Sequence, residues 1–377
     1  MDLTLSDEQR MLRESADRFV SETYTADHRR KIASEPLGFS ADLWKQFAEL
    51  GWLALPIAEA HGGLGGGAVE IGILMEAFGR GLVSEPYLST VVIGASLIAA
   101  CGTEAQKQVL LPKIADGSLY LAFAHSERQA RFDLADVRTT ATKTPDGWRL
   151  DGRKTAVLDG NAASQIIVSA RAADGKLCLF LVPQGTRGVS LRDFPRLGGG
   201  RACNLELNGV QLPADALLGD GSDALSAIEA VIDRAMAALG AEAVGIMQTL
   251  LDQTLEYTKI RKQFGRPLSA NQVIKHRLAD MAMQCDEARS MALRAALMAD
   301  AEPVARGRAA SGAKAKIGKC ARYVAEQSVQ LHGAMGVTEE LDIGSYFKRL
   351  LAFDTLFGGS AHHYRRHAAL GGRAIQA

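Results

Sequence analysis

The sequence predicts an α+β protein in three parts: an N-terminal α-helical domain over residues 1–118, a middle β domain over 119–221 built as an antiparallel barrel or sandwich, and a C-terminal four-helix bundle over 222–377. Three observations predict it. Apolar residues recur at helical spacing through the first part, short β-prone runs punctuated by turn residues fill the middle, and long helical stretches joined by short breaks make up the rest. A chain of 377 residues is also too long for one small core.

In the first part, Ser6 or Asp7 caps a helix carrying Met11, Leu12, Ala16, Phe19 and Val20 on one face. Ser40 opens another, with Leu43, Trp44, Phe47 and Leu50 aligned and Gly51 at its end. The glycine-rich stretch His61 to Gly67 is a turn and not a phosphate loop, because no Gly-Lys-Ser/Thr follows. Val69 to Phe78 and Thr103 to Ala115 read as further helices.

From Leu119 the pattern changes to short runs: Leu119 to Ser126, Trp148 to Leu150, Lys154 to Leu158, Gln165 to Ala170, Leu177 to Val182, Gly188 to Leu191 and Ala202 to Leu207. Pro145-Asp146-Gly147, Asp151-Gly152, Asp174-Gly175 and Asn208-Gly209 are expected to be the turns between them. Beyond Gly219-Asp220-Gly221, Asp223 to Lys262 forms one long helix, a second follows the Pro267 to Asn271 turn and runs to about Asp300, and a third runs from Ala305, after Pro303, to His332. Long helices with short connections are antiparallel neighbours, hence the bundle.

Composition narrows the function. With 43 basic and 43 acidic residues the formal net charge is zero, so bulk electrostatics predicts neither a nucleic-acid nor an anionic-membrane partner, and does little to oppose self-association. The five cysteines are scattered with no C-x-x-C, which predicts reduced thiols in a cytoplasmic protein rather than disulfides or a zinc site. The start, Met1-Asp2-Leu3, is acidic and lacks a signal-peptide pattern, and the most apolar window, Val91 to Ala100, is too short to span a bilayer.

Two segments carry chemistry. Arg261-Lys262-Gln263-Phe264-Gly265-Arg266-Pro267 ends the first long helix; Arg261 offers a fork of donors suited to a pyrophosphate and Phe264 a stacking face. On spacing alone this is equally a helix C-terminus with basic residues set against its dipole. Gln330-Leu331-His332-Gly333-Ala334-Met335-Gly336-Val337-Thr338-Glu339-Glu340 ends the third, where Gly333 and Gly336 let backbone approach a flat cofactor and Gln330 can hydrogen-bond it. Together these segments resemble the acyl-CoA dehydrogenases, nearest to the small-subunit branch of the pimeloyl-CoA dehydrogenases, and the resemblance covers essentially the whole chain.

That resemblance implies FAD as cofactor. It implies that Arg261 and Phe264 touch the adenosine-diphosphate end of FAD bound to a neighbouring subunit, and it extends to Gln272 on the next helix. It places Ser126 and Leu158 beside the flavin ring, with Ser360 and His362 as further flavin contacts. The sequence departs from the family in three places. Arg128-Gln129-Ala130-Arg131-Phe132 replaces a Pro-Gly-Ala-Gly-Ser run, Ala156-Val157-Leu158 replaces Trp-Ile-Ser/Thr, and Gly358 stands where the family has the glutamate that removes the substrate α-proton. Glycine cannot accept a proton.

Some family members carry the acid on the first bundle helix just before an arginine, and Asp233-Arg234 has that look, though about half a helical turn out of phase. Its other reading is an ion-pairing acid on a helix. Glu242 and Asp354 are further candidates. His363 and His367 have a zinc-compatible spacing, but no nearby acid completes a site. The expected function is therefore FAD-dependent α,β-dehydrogenation of an acyl-CoA, steroid or dicarboxylic acyl groups included. Electrons would pass to an electron-transfer flavoprotein, and the assembly would be a homo-oligomer or a heterotetramer with a related larger subunit. The alternative is an FAD-supporting structural subunit paired with a catalytic homologue.

Overall fold

The computed structural model describes residues 4–338 and 340–372. Met1, Asp2 and Leu3 of the acidic start, and Glu339 of the glycine-rich segment, lie outside them.

The first domain is helical: α1 (Asp7–Thr23), α2 (Ala26–Ala33), α3 (Ala41–Glu49), α4 (Ala68–Gly81), α5 (Ser96–Cys101) and α6 (Glu104–Ala115). Ser6 caps α1 in a reciprocal box: its Oγ accepts from the Gln9 amide at 3.2 Å, while its own amide donates to Gln9 Oε1 at 3.0 Å. Thr103 and Gln106 repeat the device on α6, and Ser40 caps α3. Trp44 and Phe47 of α3 are wholly buried, Phe47 stacking on Phe78 of α4 at 5.1 Å. The apolar Val91 to Ala100 window folds as a π-helical stretch, Tyr87–Ala95, continuing into α5; apart from half-buried Ser96 it is buried in the core as far as Ile98, and Ala99 and Ala100 are exposed.

The middle domain is one eight-stranded sheet: β1 (Leu121–Ala124), β2 (Thr140–Thr144), β3 (Gly147–Leu158), β4 (Gln165–Ala172), β5 (Leu177–Pro183), β6 (Val189–Pro195), β7 (Arg201–Pro213) and β8 (Leu217–Leu218). Its order is β6-β7-β3-β2-β4-β5-β8, with β1 pairing β4. Most pairs are antiparallel, but β1 and β2 each run parallel to β4, so the sheet is mixed where the sequence suggested antiparallel pairing throughout. Alternate residues of β4 face two cores: Ile167 joins the N-terminal domain, whereas Ile166 and Val168 join the sheet's own core.

Two expected turns are bulges. Asp151-Gly152 does not end a strand; β3 runs through it with a register shift against β7, and a Cβ at Gly152 would come within 2.7 Å of Thr139 Cα. Asn208-Gly209 lies inside β7, where the Gly209 amide donates to Asp151 Oδ1 at 2.8 Å. The two turn-like dipeptides face one another across the ladder, which is why neither breaks its strand.

The third part comprises α7 (Leu225–Ile260), the short hairpin β9 (Lys262–Gln263) and β10 (Arg266–Pro267), α8 (Gln272–Leu297), α9 (Pro303–His332), α10 (Ile343–Thr355) and α11 (Ser360–Leu370). Pro303 is the first residue of α9 rather than a break before it, a position where its missing N–H costs nothing. The helices α7, α8 and α9 pack mutually, and α10 and α11 lie against α9. α7 also crosses α4 at backbone distance: a Cβ on Gly79 would sit 2.0 Å from the Glu242 carbonyl oxygen, and one on Gly245 would sit 1.9 Å from that of Glu76. This crossing carries Glu242 into the region between the domains.

Candidate active site

The predicted residues fall into two groups. The first gathers at one end of the bundle. Tyr257, one turn before Arg261 on α7, stacks on His332 at 4.3 Å, and its hydroxyl donates to the His332 carbonyl at 3.3 Å. That contact brings Arg261 and Phe264 to the same end as Gln330 and Gly333. The Leu268 amide donates to the Arg261 carbonyl at 2.9 Å, folding the hairpin back so that α8 starts with Gln272 nearby. Gln272 and Gln330 are exposed, and Phe264 is 100% exposed. Gly333 has φ 62° with open space around it, and a Cβ on buried Gly336 would meet the Val329 carbonyl at 2.8 Å. Ile260, Val273 and Val337 add exposed apolar surface. A naked phenylalanine beside an exposed arginine suits a ligand or neighbour that supplies both a flat ring and anionic oxygens.

The second group joins the β domain to α11. Ser126 is exposed, its carbonyl held by the Thr155 amide at 2.8 Å. Beneath it lies a buried network. Lys154 Nζ donates to Glu127 Oε1 at 2.8 Å, to Ser169 Oγ at 3.0 Å and to the His125 carbonyl at 3.2 Å, while Thr139 donates to Glu127 through both amide and hydroxyl. Burial alone would raise the Glu127 carboxyl, but the hydrogen bond and charge of Lys154 bring it to about 2; burial lowers Lys154 to about 8 and His125 to about 4. This network fixes the strand ends that carry Ser126 and Leu158. Leu158 is buried between Ala156 and Asp159, both at positive φ (52° and 54°).

The loop that departs from the family, 128–132, reaches α11, where Phe132 packs on His362 with ring centroids 5.3 Å apart. His362 in turn closes over Gly358: a Cβ there would meet His362 Cδ2 at 2.7 Å and His363 Nε2 at 3.0 Å. The turn itself is clamped by Lys314 of α9, whose buried Nζ donates to the carbonyls of Phe353 at 2.8 Å and Gly358 at 2.9 Å and lies over the Phe353 ring. Burial brings Lys314 down to about 8, against the pull of Asp354.

Each candidate acid already has partners. Asp233 is 2% exposed and not a surface acid; its Oδ1 accepts from Arg366 at 2.6 Å and its Oδ2 from Arg306 at 3.2 Å, tying α7 to α9 and α11. Glu242 Oε1 accepts from both Nε and Nη2 of Arg349 at 2.8 Å. Asp354 caps α11, its Oδ1 accepting from the Ser360 amide at 3.3 Å and hydroxyl at 3.1 Å. The histidines are engaged too: His363 bonds Ser311 and the Phe357 carbonyl, and His367 bonds the Arg308 carbonyl. Among the described residues no group of three side chains could hold a metal.

Sequence reading missed Asp159, Arg196, Lys314 and Arg349. The first, second and fourth line one cavity together with Leu88, Leu158, Leu239 and Glu242. Lys314 left one signal, a lone lysine in the small-residue run Gly312 to Ala315.

Family comparison matches all three parts: residues 6–118 to the acyl-CoA dehydrogenase N-terminal domain, 122–210 to the middle domain and 225–369 to the C-terminal domain. This chain belongs to the acyl-CoA dehydrogenase family. It is 32% identical to the probable acyl-CoA dehydrogenase YngJ of Bacillus subtilis over 91% of this chain and 92% of that one. A variant of the Tcur3481-Tcur3483 steroid ACAD superposes with a TM-score of 0.88 at 32% identity, over 98% of this chain and 99% of the other. The ChsE4-ChsE5 complex of Mycobacterium tuberculosis gives 0.89 at 27% over the whole of both chains. A glutaryl-CoA dehydrogenase of Mycobacterium smegmatis in complex with FADH2 gives 0.89 at 26% over 99% and 97%.

As an acyl-CoA dehydrogenase the protein is a flavin-dependent oxidoreductase, and its cofactor is FAD. The exposed Arg261 and Phe264, with the open backbone at Gly333, would suit the adenosine end of that group, and the Ser126 and Leu158 backbone, held by the Lys154 network, would be the part to meet its ring. When bound, the flavin supplies the hydride acceptor. Among the described residues no helix is long and apolar enough to cross a membrane.

Proposed function

We infer that this acyl-CoA dehydrogenase works as the FAD-supporting member of a hetero-oligomer, in which a related larger subunit supplies the base that removes the α-proton. One observation carries the reading: the usual glutamate position is Gly358, and Asp233, Glu242 and Asp354 are each held by arginines or a helix cap. A carboxylate gripped by two guanidinium groups, as Asp233 is, is not free to turn toward a substrate α-carbon, because turning would break both ion pairs and leave buried charge unpaired. Exposed Phe264 and Arg261 then serve a flavin bound largely by the partner. The likeness to the ChsE4-ChsE5 complex supports pairing, and the likenesses to a steroid ACAD and a glutaryl-CoA dehydrogenase favour a bulky or dicarboxylic acyl-CoA, with electrons leaving to an electron-transfer flavoprotein.

The test is flavin bleaching by steroid and glutaryl CoA thioesters, measured on the chain alone and on the chain co-expressed with a larger homologue. Bleaching by the co-purified pair only is the expected result; rapid bleaching by the lone chain overturns the reading. Asp233→Asn separates the two sources of the base. It should lower the melting temperature by breaking a buried ion-pair cluster, a loss of about 3–5 kcal/mol, and leave the pair's bleaching rate unchanged at a temperature where the variant is folded. A thousandfold slower rate there would make Asp233 the base.

A further inference from the structure

The space between the flavin-side residue Leu158 and the base position is not an apolar tunnel. Two adjoining cavities lie against its two sides, the first touching Leu158 and the second touching Leu356, two residues before Gly358; Arg196, Leu239, Glu242 and Arg349 line both. Their volumes are about 40 and 10 Å³. That is room for a few water molecules, well short of the roughly 150 Å³ that admits one benzene ring.

What fills the space is charge. Arg349 of α10 is spent on Glu242 and on the carbonyls of Val83, Gly198 and Gly199. Asp159 hydrogen-bonds Ser89 at 2.6 Å, and burial pushes its carboxyl up against the pull of Arg196 and Arg349. Arg196 follows the end of β6, on the glycine-rich turn Gly198 to Gly200, and is drawn to Asp159 and Glu242. Gly198 has φ 82° and packs on Arg349, where a Cβ would come within 2.5 Å of its Cα, so the turn is seated firmly on α10. An acyl chain entering here would have to displace Arg196 and bury methylenes against two arginines and two acids, which removes water from four charged groups without replacing it.

We propose that Arg196 is a specificity-determining plug: it closes the acyl end of this chain's own site, so that the chain accepts the CoA portion of a thioester without seating its acyl portion. This deepens the paired reading, resting on it only for where the acyl group goes instead. The Glu242–Arg349 pair, with both side chains on helices, α7 and α10, forms the fixed wall, and Arg196, which enters from the loop after β6, is the removable element.

Isothermal titration of the full chain with CoA, butyryl-CoA and octanoyl-CoA tests it. Each methylene entering an apolar pocket should tighten binding about fourfold. The wild-type chain is expected to bind all three with affinities within about twofold; no binding of CoA, or a gain above tenfold from CoA to octanoyl-CoA, overturns the plug. Arg196→Ala, with melting temperature checked, is expected to restore dependence on chain length, butyryl-CoA gaining at least tenfold over CoA. A folded Arg196→Ala protein with a flat or absent response overturns the assignment to Arg196, and Arg196→Gln decides the same way if the alanine variant fails to fold. A steep wild-type series in a chain that still pairs sinks the plug alone; a flat series in a chain that forms no pair sinks the pairing alone.

Discussion

At the scale of single residues, His363 and Lys314 at the Gly358 turn are buried and held by structural partners. His363 is 1% exposed, and burial with the neighbouring Lys314, His362 and Arg366 charges brings its pKa down to about 3, while the Phe357 carbonyl pulls the other way. An unfolded histidine titrates near 6.5. Between those values the unfolded chain binds the proton that the folded one refuses, so stability falls as pH drops from about 6.5 toward 3. His363 should account for a loss on the order of a few kcal/mol across that window. Chemical denaturation at pH 7 and pH 4.5 checks this: His363→Gln should flatten the pH dependence relative to wild type, and an unchanged slope would assign the acid sensitivity elsewhere, to His125 first. Such roles are invisible in the sequence because they depend on partners far along the chain; Asp233 reads as a candidate base or an ion-pairing helix acid until Arg306 and Arg366 are seen to close on it.

At the scale of elements, caps and periodicity spoke clearly while crossings and bulges did not. Ser6, Ser40 and Thr103 announce their helices because capping is local, decided within four residues. Asp151-Gly152 and Asn208-Gly209 misled because a dipeptide that favours a turn also favours a bulge, and only pairing between strands chooses. The α4–α7 crossing is likewise set by glycines whose importance no local signal marks. Gly79→Ala should destabilise by about 1–3 kcal/mol through overpacking against the Glu242 carbonyl. Gly72→Ala, on the same helix, would make only an ordinary 3.8 Å contact with Ala241 and should stabilise by up to about 1 kcal/mol from helix propensity. Urea unfolding of the two variants compares them directly; equal effects would remove the crossing from the account.

At the scale of the whole molecule, the described residues leave a strongly apolar side chain on the surface at the end of the bundle. Phe264 is fully exposed in the single chain, so Phe264→Ala should leave the melting temperature within about 1 °C while the assembled protein loses flavin absorbance on gel filtration; a large drop in melting temperature would make Phe264 a folding residue instead. The three-domain order was legible because periodicity and family motifs are contiguous; the charged cavity was not, since Asp159, Arg196, Glu242 and Arg349 come from four separate segments. The turn at Gly358 has one more consequence, for descent. Its φ of 111° suits glycine alone, His362 occupies the space a side chain would take, and Lys314 holds the backbone in place. Gly358→Glu should therefore give a poorly folded protein rather than an active one. Placing a glutamate there would require coordinated change at Gly358, His362 and the Lys314 clamp at once, so a lineage with this turn has no single-step path to that side chain.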